Sequence, residues 1–203
     1  GPAGDGLFVV KYLDPGRERA FLAPGHIELM NSFSELMRNV SPGAPKPLPS
    51  NISLRPCGPE DDGQLAEVFS QVFSDYPFPV DDPGFIRETM EEGTDYVCAV
   101  SAGRQEDSSS GGRIIAVSSA ERNDSCAYAE MTDFAVLPEF RGLGLSGVLL
   151  EIMELQVREM GIHTAFTIAR LHSTGMNATF LKAGYAYGGT LYANTKMPEG
   201  LES

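Results

Sequence analysis

The sequence has few of the residues that most directly announce a chemistry. Only three cysteines and three histidines occur in 203 residues. Cys57, Cys98 and Cys126 are far apart and odd in number, and His26, His163 and His172 stand alone. Neither C-x-x-C nor H-x-x-x-H spacing occurs, so no metal site is legible, and buried thiols are the expected state of the cysteines. Cations are also scarce: 15 Lys and Arg face 28 Asp and Glu, a formal net charge of −13. General nucleic-acid and anionic-membrane binders need clustered cations to displace counterions, so no partner of either kind is expected. An anionic ligand would need a local site. No apolar run approaches the roughly 18 residues of a spanning helix. The start "GPAGDGLFVV" lacks the basic region of a signal peptide, and a soluble, cytoplasmic protein is expected. A serine-hydrolase elbow fails too, because G-x-S-x-G around Ser146 needs glycine at position 148, which is Val.

What is present suffices for one good core with an appendage, at 42% hydrophobic residues. Residues 7–13, "LFVVKYL", read as a strand and "APGHIELMNSFSELMRN" as an amphipathic helix. Five prolines or glycines between Pro42 and Pro49 make an extended linker. The main domain opens with a strand, "NISLRP", and a helix from Asp61, where the acidic "EDD" caps and complements the positive helix end. "DYPFPVDDP" breaks that helix. A second helix, "GFIRETMEEG", precedes the β-rich runs "DYVCAVSAG" and "GRIIAVSSAERN", which the polar tract "RQEDSSSGG" separates as a hairpin tip. "CAYAEMTDFAVL" is a long strand, then a glycine loop, then the helix "SGVLLEIMELQVREMG". That helix carries Val148, Leu149, Ile152, Met153, Leu155 and Met160 mostly on one face and Gly161 as its stop. A strand "TAFTIAR", a helix through "GMNATFLKAG" and a strand "YAYGGTLYANT" complete the order β, α, α, β, β, β, loop, α, β, α, β.

The glycine loop, Gly142-Leu-Gly144-Leu-Ser-Gly147, satisfies the dinucleotide pattern G-x-G-x-x-G. A dinucleotide fold should begin with this loop, run its strand straight into the first glycine, and place a carboxylate about 20 residues on. Here strands of antiparallel type precede the loop, Pro138 to Arg141 intervene, and "IHTAFTI" occupies the place of the carboxylate, with Arg170 after it. The alternative is a pyrophosphate loop at a helix N-terminus, where backbone N–H groups and the helix dipole converge on an anion and glycines let it approach. Arg141 is then its main cationic side chain. The backbone would supply the positive potential that the net charge lacks.

Arg141-Gly-Leu-Gly144-Leu-Ser146, together with the order of elements and "FLKAGY", resembles the acetyl-CoA signature of the GNAT N-acetyltransferases over residues 51–203. Ser146 replaces the usual Gly or Ala. The resemblance implies an α+β (mixed α/β) acyl-CoA N-acyltransferase fold, with a central, mostly antiparallel sheet flanked by helices and splayed at the acetyl-CoA site. "YPFPVDDPGFI", "MTDFAVLPEFRGLGLSG", "TIARLHSTGMNATFLKAGYAYGGTL" and "ANTKMPEGLES" resemble more narrowly the β-lysine N6-acetyltransferases, which make a compatible solute. On that resemblance, residues 1–40 are a remnant of an N-terminal region, 41–50 a Pro-rich linker, and 51–203 the acetyltransferase domain, expected to lack its last strand. A homodimer, or pairing by residues 7–13, would cover the sheet edge so exposed.

The resemblance also implies roles. Acetyl-CoA is the donor and no metal takes part. Phe134, Ala135 and Val136 would offer free backbone groups to the pantetheine, and Arg141, Gly142, Leu143, Gly144, Leu145, Ser146 and Gly147 would hold the pyrophosphate. Ser173, Asn177 and Phe180 are further cofactor contacts, with a helix cap the alternative role for Ser173. Glu130 in "AEMTDFAV" is the candidate base, its pKa raised by partial burial; an ordinary strand glutamate is the alternative. Phe180 stands where many members carry a proton-donating tyrosine, so Tyr185 or Tyr187 would substitute, or the thiolate leaves unassisted. Tyr76, Phe78, Asp133 and Asn194 are candidate acceptor-site residues, with Asp133 on the opposite strand face from Glu130 by period-two alternation. The acceptor would be a small-molecule amine, the ε-amine of β-lysine first. Another amino acid or a polyamine, or a non-catalytic acyl-CoA-binding module, are the rivals.

Overall fold

The computed structural model describes residues 24–74, 76–102 and 112–191. The expected strand at residues 7–13, most of the polar hairpin tip, and Asn194 lie outside them. The elements are α1 (Pro24–Asn39), β1 (Ile52–Pro56), α2 (Asp62–Val72), α3 (Pro83–Glu91), β2 (Thr94–Ser101), β3 (Arg113–Asn123), β4 (Tyr128–Val136), α4 (Leu145–Glu159), β5 (Thr164–Phe166) and α5 (Thr174–Lys182). They form two compact units, residues 24–44 with 169–191, and residues 45–168. No helix among the described residues is long and apolar enough to cross a membrane.

The larger unit is built on one five-stranded sheet in the order β1-β2-β3-β4-β5. The first four strands are antiparallel neighbours, and β5 joins β4 in parallel. The centre of β2 and residues 114–120 of β3 are buried on both faces, which is why they read as continuous apolar runs rather than as alternation. Ser118 and Ser119, consecutive and both fully buried, mark the two faces. Ser118 Oγ donates to Met153 Sδ of α4 at 2.6 Å. The partner of Ser119 across the ladder is Tyr96, whose hydroxyl meets Thr89 Oγ1 of α3 at 2.9 Å. Helix α4 therefore covers one face, and α3 covers the other with α2, whose Leu65, Val68 and Phe69 are buried at helical spacing.

Three expectations need correction in this unit. In α4 the buried residues are Leu145, Val148, Leu149, Leu150, Met153 and Val157, whereas Leu155 and Met160 are exposed. Leu155 lies two residues, hence about 200° of helical rotation, from Met153, and Met160 follows the helix end. Asp61 makes no side-chain cap to α2. Its carboxylate instead accepts both guanidinium arms of Arg55 at 2.7 Å and the Gly58 N–H at 2.9 Å, because a bidentate charged pair outcompetes a neutral cap. Of the cysteines, Cys98 is buried, but Cys57 at the exit of β1 and Cys126 in the β3–β4 turn are partly exposed.

In the smaller unit α1 packs on α5. The Gly43 N–H donates to the Lys182 carbonyl at 2.9 Å, and Phe33 meets Tyr187 edge-on at 5.3 Å. The strand expected over "YAYGGTLYANT" is not formed in its described part, residues 185–191. Gly189 sits at φ 145, and Tyr187 is held by Phe33 and by a 2.7 Å hydroxyl contact with Thr190, so no ladder forms there.

Candidate active site

Strand β4 builds the site. Its pairing with β5 runs from Tyr128 to Glu130 and ends there, opposite Phe166, while residues 131–136 pair with β3 alone. Glu130 thus occupies the last rung before the two parallel strands part. Beyond it, the side of β4 turned away from β3 carries no ladder among the described residues.

A bulge follows. Ser119 pairs with Thr132 and Val117 with Ala135, so Asp133 and Phe134 together oppose Ser118. Asp133 takes φ 52, in the left-handed region, where a short polar side chain is among the few tolerated. Period-two alternation therefore fails at this residue. Asp133 is brought to the Glu130 face rather than the opposite one: Asp133 Oδ2 accepts from Ser119 Oγ at 2.6 Å, and Ser119 and Glu121 are the cross-strand partners of Thr132 and Glu130. Its Oδ1 accepts from the Tyr76 hydroxyl at 2.5 Å, and Tyr76 is stacked on Phe73 at 4.5 Å.

Three carboxylates, Glu121, Glu130 and Asp133, therefore share one face, and no ion pair involves any of them among the described residues. Burial raises the Glu130 carboxyl above the usual carboxylate range, and the Glu121 charge and then Asp133 add to it, against a hydrogen bond from the Ile168 backbone. Glu121 is an exposed residue whose carboxyl is nonetheless raised, by desolvation and by Asp133. Tyr96 is pushed up to about 12, chiefly by burial and partly by the same two acids. Glu121 escaped the sequence reading, although one signal existed. Asn123 pairs with Tyr128 across a four-residue turn, and counting outward from there sets Glu121 against Glu130.

The glycine loop leads from β4 into α4. Gly142 and Gly144 take φ 83 and 80, a conformation that frees the backbone to present successive N–H groups. Gly144 is the N-cap of α4. Among the described residues the N–H groups of 142–146 have no acceptor; the next two, of Gly147 and Val148, bond to the Gly144 carbonyl. A Cβ built on Gly142 would meet nothing within 4 Å, so the loop is open to solvent at that residue. Arg141 Nε donates to the Val136 carbonyl at 3.3 Å, which anchors the guanidinium at the loop's start. Leu143 is exposed, Ser146 and Gly147 half-buried and Leu145 buried; before the loop, Phe134 and Val136 are half-buried and Ala135 buried.

Phe78 is 60% exposed and lies parallel to Phe85. Ser173, Asn177, Phe180 and Tyr185 belong to the smaller unit. Ser173 occupies the N-cap of α5, but its side chain makes no cap bond; its carbonyl instead accepts from Asn177 Nδ2, which also donates to the Arg170 and Leu171 carbonyls and so ties its own turn together. Phe180 is buried, edge-on to Tyr185 at 5.2 Å.

A family model of acetyltransferases, the GNAT family, matches residues 65–185. The chain belongs to the GNAT acetyltransferase family. It is 35% identical over 193 residues to a β-lysine N6-acetyltransferase of Methanococcus maripaludis, covering 95% of this chain and 66% of that one. It is 38% identical over 152 residues to the N-acetyltransferase YodP of Bacillus subtilis, covering 75% and 52%. The chain thus spans from half to two thirds of the length of these relatives. The ribosomal-protein-S18-alanine N-acetyltransferase of Escherichia coli superposes with a TM-score of 0.60 at 13% identity, over 74% of this chain and 88% of that one, and shares the fold. As expected of a GNAT member, the fold is α+β, a mostly antiparallel sheet flanked by helices.

Proposed function

We propose that this GNAT chain transfers the acetyl group of acetyl-CoA to a small-molecule amine, the ε-amine of β-lysine, within a ternary complex. The observation that carries the proposal is Glu130: a half-buried carboxylate, raised by burial and by two like charges, on the last rung before β4 and β5 part. A lysine-type ammonium has a pKa of about 10.4, so near neutral pH about one molecule in a thousand is nucleophilic. Glu130 would take the ammonium proton. The amine nitrogen then attacks the thioester carbonyl, the C–N bond forms, the nitrogen gives up its second proton to solvent, and the C–S bond breaks as the thiolate departs. With a thiol pKa of about 8.5, that departure needs little help, and the thiolate takes its proton from solvent; a fall in turnover in Tyr185→Phe would assign that proton to Tyr185 instead.

The other assignments follow the chemistry each group offers. The N–H groups of 142–146, at the positive end of α4, would receive the donor's pyrophosphate, and the side of β4 turned away from β3, over Phe134, Ala135 and Val136, would face the pantetheine. The carboxylate face, with Asp133 tied to Tyr76, suits a substrate that brings more than one ammonium group. The choice of β-lysine among such amines is supported by the relative named for that substrate. The test is thiol release from acetyl-CoA with β-lysine, lysine and spermidine in parallel. Highest kcat/KM for β-lysine supports the proposal; preference for another amine corrects the acceptor; CoA binding without thiol release from any of them overturns the catalysis.

Two smaller effects are expected here. Glu121→Gln removes a like charge from Glu130, so the acid limb of kcat/KM should move to lower pH, since the base then ionises more readily. A limb that stays or moves up would detach Glu121 from the site. Tyr76→Phe leaves Asp133 short of one donor and should raise the KM for the amine by roughly 5–10-fold with kcat nearly unchanged.

A further inference from the structure

We propose that Lys46 is a phosphate-binding residue for the acyl-CoA donor, delivered to the glycine loop by the Pro-rich segment that precedes β1. The assignment rests on the acetyl-CoA function proposed for that loop. Viewed as sequence, the segment is a linker; in the fold, its residues 45 and 46 lie over the first turn of α4. A Cβ built on Gly147 would be 3.5 Å from the Pro45 Cβ, and one built on Gly144 would be 3.5, 3.7 and 3.8 Å from Cβ, Cδ and Cγ of Lys46. The lysine stem therefore runs along the helix N-cap, at ordinary packing distance from the side-chain position of Gly144. Lys46 is exposed, so its ammonium is free to reach an anion held by the N–H groups of 142–146, which have no acceptor among the described residues.

The distribution of the other cations gives this contact its meaning. Lys46 is the single lysine of residues 45–168. In the same unit Arg55 is paired with Asp61, Arg87 with Asp62, Arg113 with Glu139, and Arg122 with Asp95 and Asp124. Among the described residues of the unit, the cations without a carboxylate partner are Lys46, Arg141 and Arg158. Arg158 lies in the last turn of α4, and the other two flank its beginning. In a chain of net charge −13, unneutralised positive charge is thus placed where backbone N–H groups already favour an anion. Pro45, Pro47 and Pro49 restrict the segment's backbone, so little freedom is lost when Lys46 engages a ligand.

Calorimetric binding of CoA tests the assignment. Lys46→Met keeps the apolar stem and removes the charge; it should weaken CoA by about 5–20-fold at low ionic strength, less at high salt, with Lys46→Arg near wild type. Pantetheine, which carries no phosphate, should bind both proteins alike. With 3′-dephospho-CoA, a loss of the same factor assigns Lys46 to the pyrophosphate, and disappearance of the difference assigns it to the 3′-phosphate. Equal CoA affinity of Lys46→Met and wild type would overturn the inference while leaving the donor intact. Wild type that fails to bind CoA at all would instead overturn the acyl-CoA assignment of the loop, and this one with it.

Discussion

Glu130→Gln is expected to lower turnover of the preferred amine by about 10²–10³-fold near neutral pH while leaving CoA affinity unchanged. Glutamine is nearly isosteric and keeps a hydrogen-bonding oxygen, but it cannot take the ammonium proton. The same change should raise stability. Burial and the neighbouring charges hold the folded-state pKa of Glu130 above its unfolded value. Below the unfolded value both states are protonated and nothing differs; as pH rises through the folded value, the penalty for ionising Glu130 in the folded chain develops fully. The variant escapes it, so its thermal midpoint should exceed that of wild type at neutral pH and converge with it on acidification. Activity and stability moving in opposite directions is the signature of a strained functional group. Unchanged turnover, or a lowered midpoint at pH 7, would remove Glu130 from the role of base.

The second large effect concerns Asp61. Asp61→Asn should destabilise the fold by about 2–3 kcal/mol, read as a fall of roughly 5–10 °C in Tm. The residue is 3% exposed and receives two Arg55 contacts at 2.7 Å and the Gly58 N–H at 2.9 Å. Asparagine leaves the guanidinium fork half-matched. The Arg55 guanidinium, and less strongly the Gly58 amide, hold the Asp61 carboxyl below its ordinary value. Its contribution is therefore fully present above the unfolded pKa of about 3.9 and is lost as pH falls through the lower folded value. Urea unfolding of both proteins at neutral pH and near pH 2 should show a large difference that shrinks on acidification. A difference independent of pH would mean that shape, not charge, holds β1 to the following turn.

Much of the fold was legible because it rests on local signals. Continuous apolar runs marked β2 and β3, the 3.6-residue period marked α4, and Gly142 and Gly144 marked the loop. Features that depend on what meets what were not. Nothing in "EMTDFAV" announces that Asp133 will leave the strand conformation, since the bulge arises from pairing with β3, and simple alternation then put it on the wrong face. Glu121 needed the hairpin register, and Lys46 needed the path of a segment whose composition says only that it is extended. The apolar "YAYGGTLYANT" looked like a strand in isolation, yet Tyr187 is held by Phe33 of α1, a partner about 150 residues earlier in the chain. Helix Leu155 was misassigned for a narrower reason: a few apolar residues suffice to fill the stripe that faces the sheet, and the others are left outside.

The sheet of the larger unit is ordered β1-β2-β3-β4-β5, the order in which its strands occur along the chain. No strand has to be inserted between two that are already paired. The sheet can grow by addition at one edge, each new strand joining a template completed before it, and β5 is placed only after the glycine loop and α4 have been traversed. The opening between β4 and β5 is thus the last seam to close as the chain is made, and the one whose fraying disturbs the fewest earlier pairings.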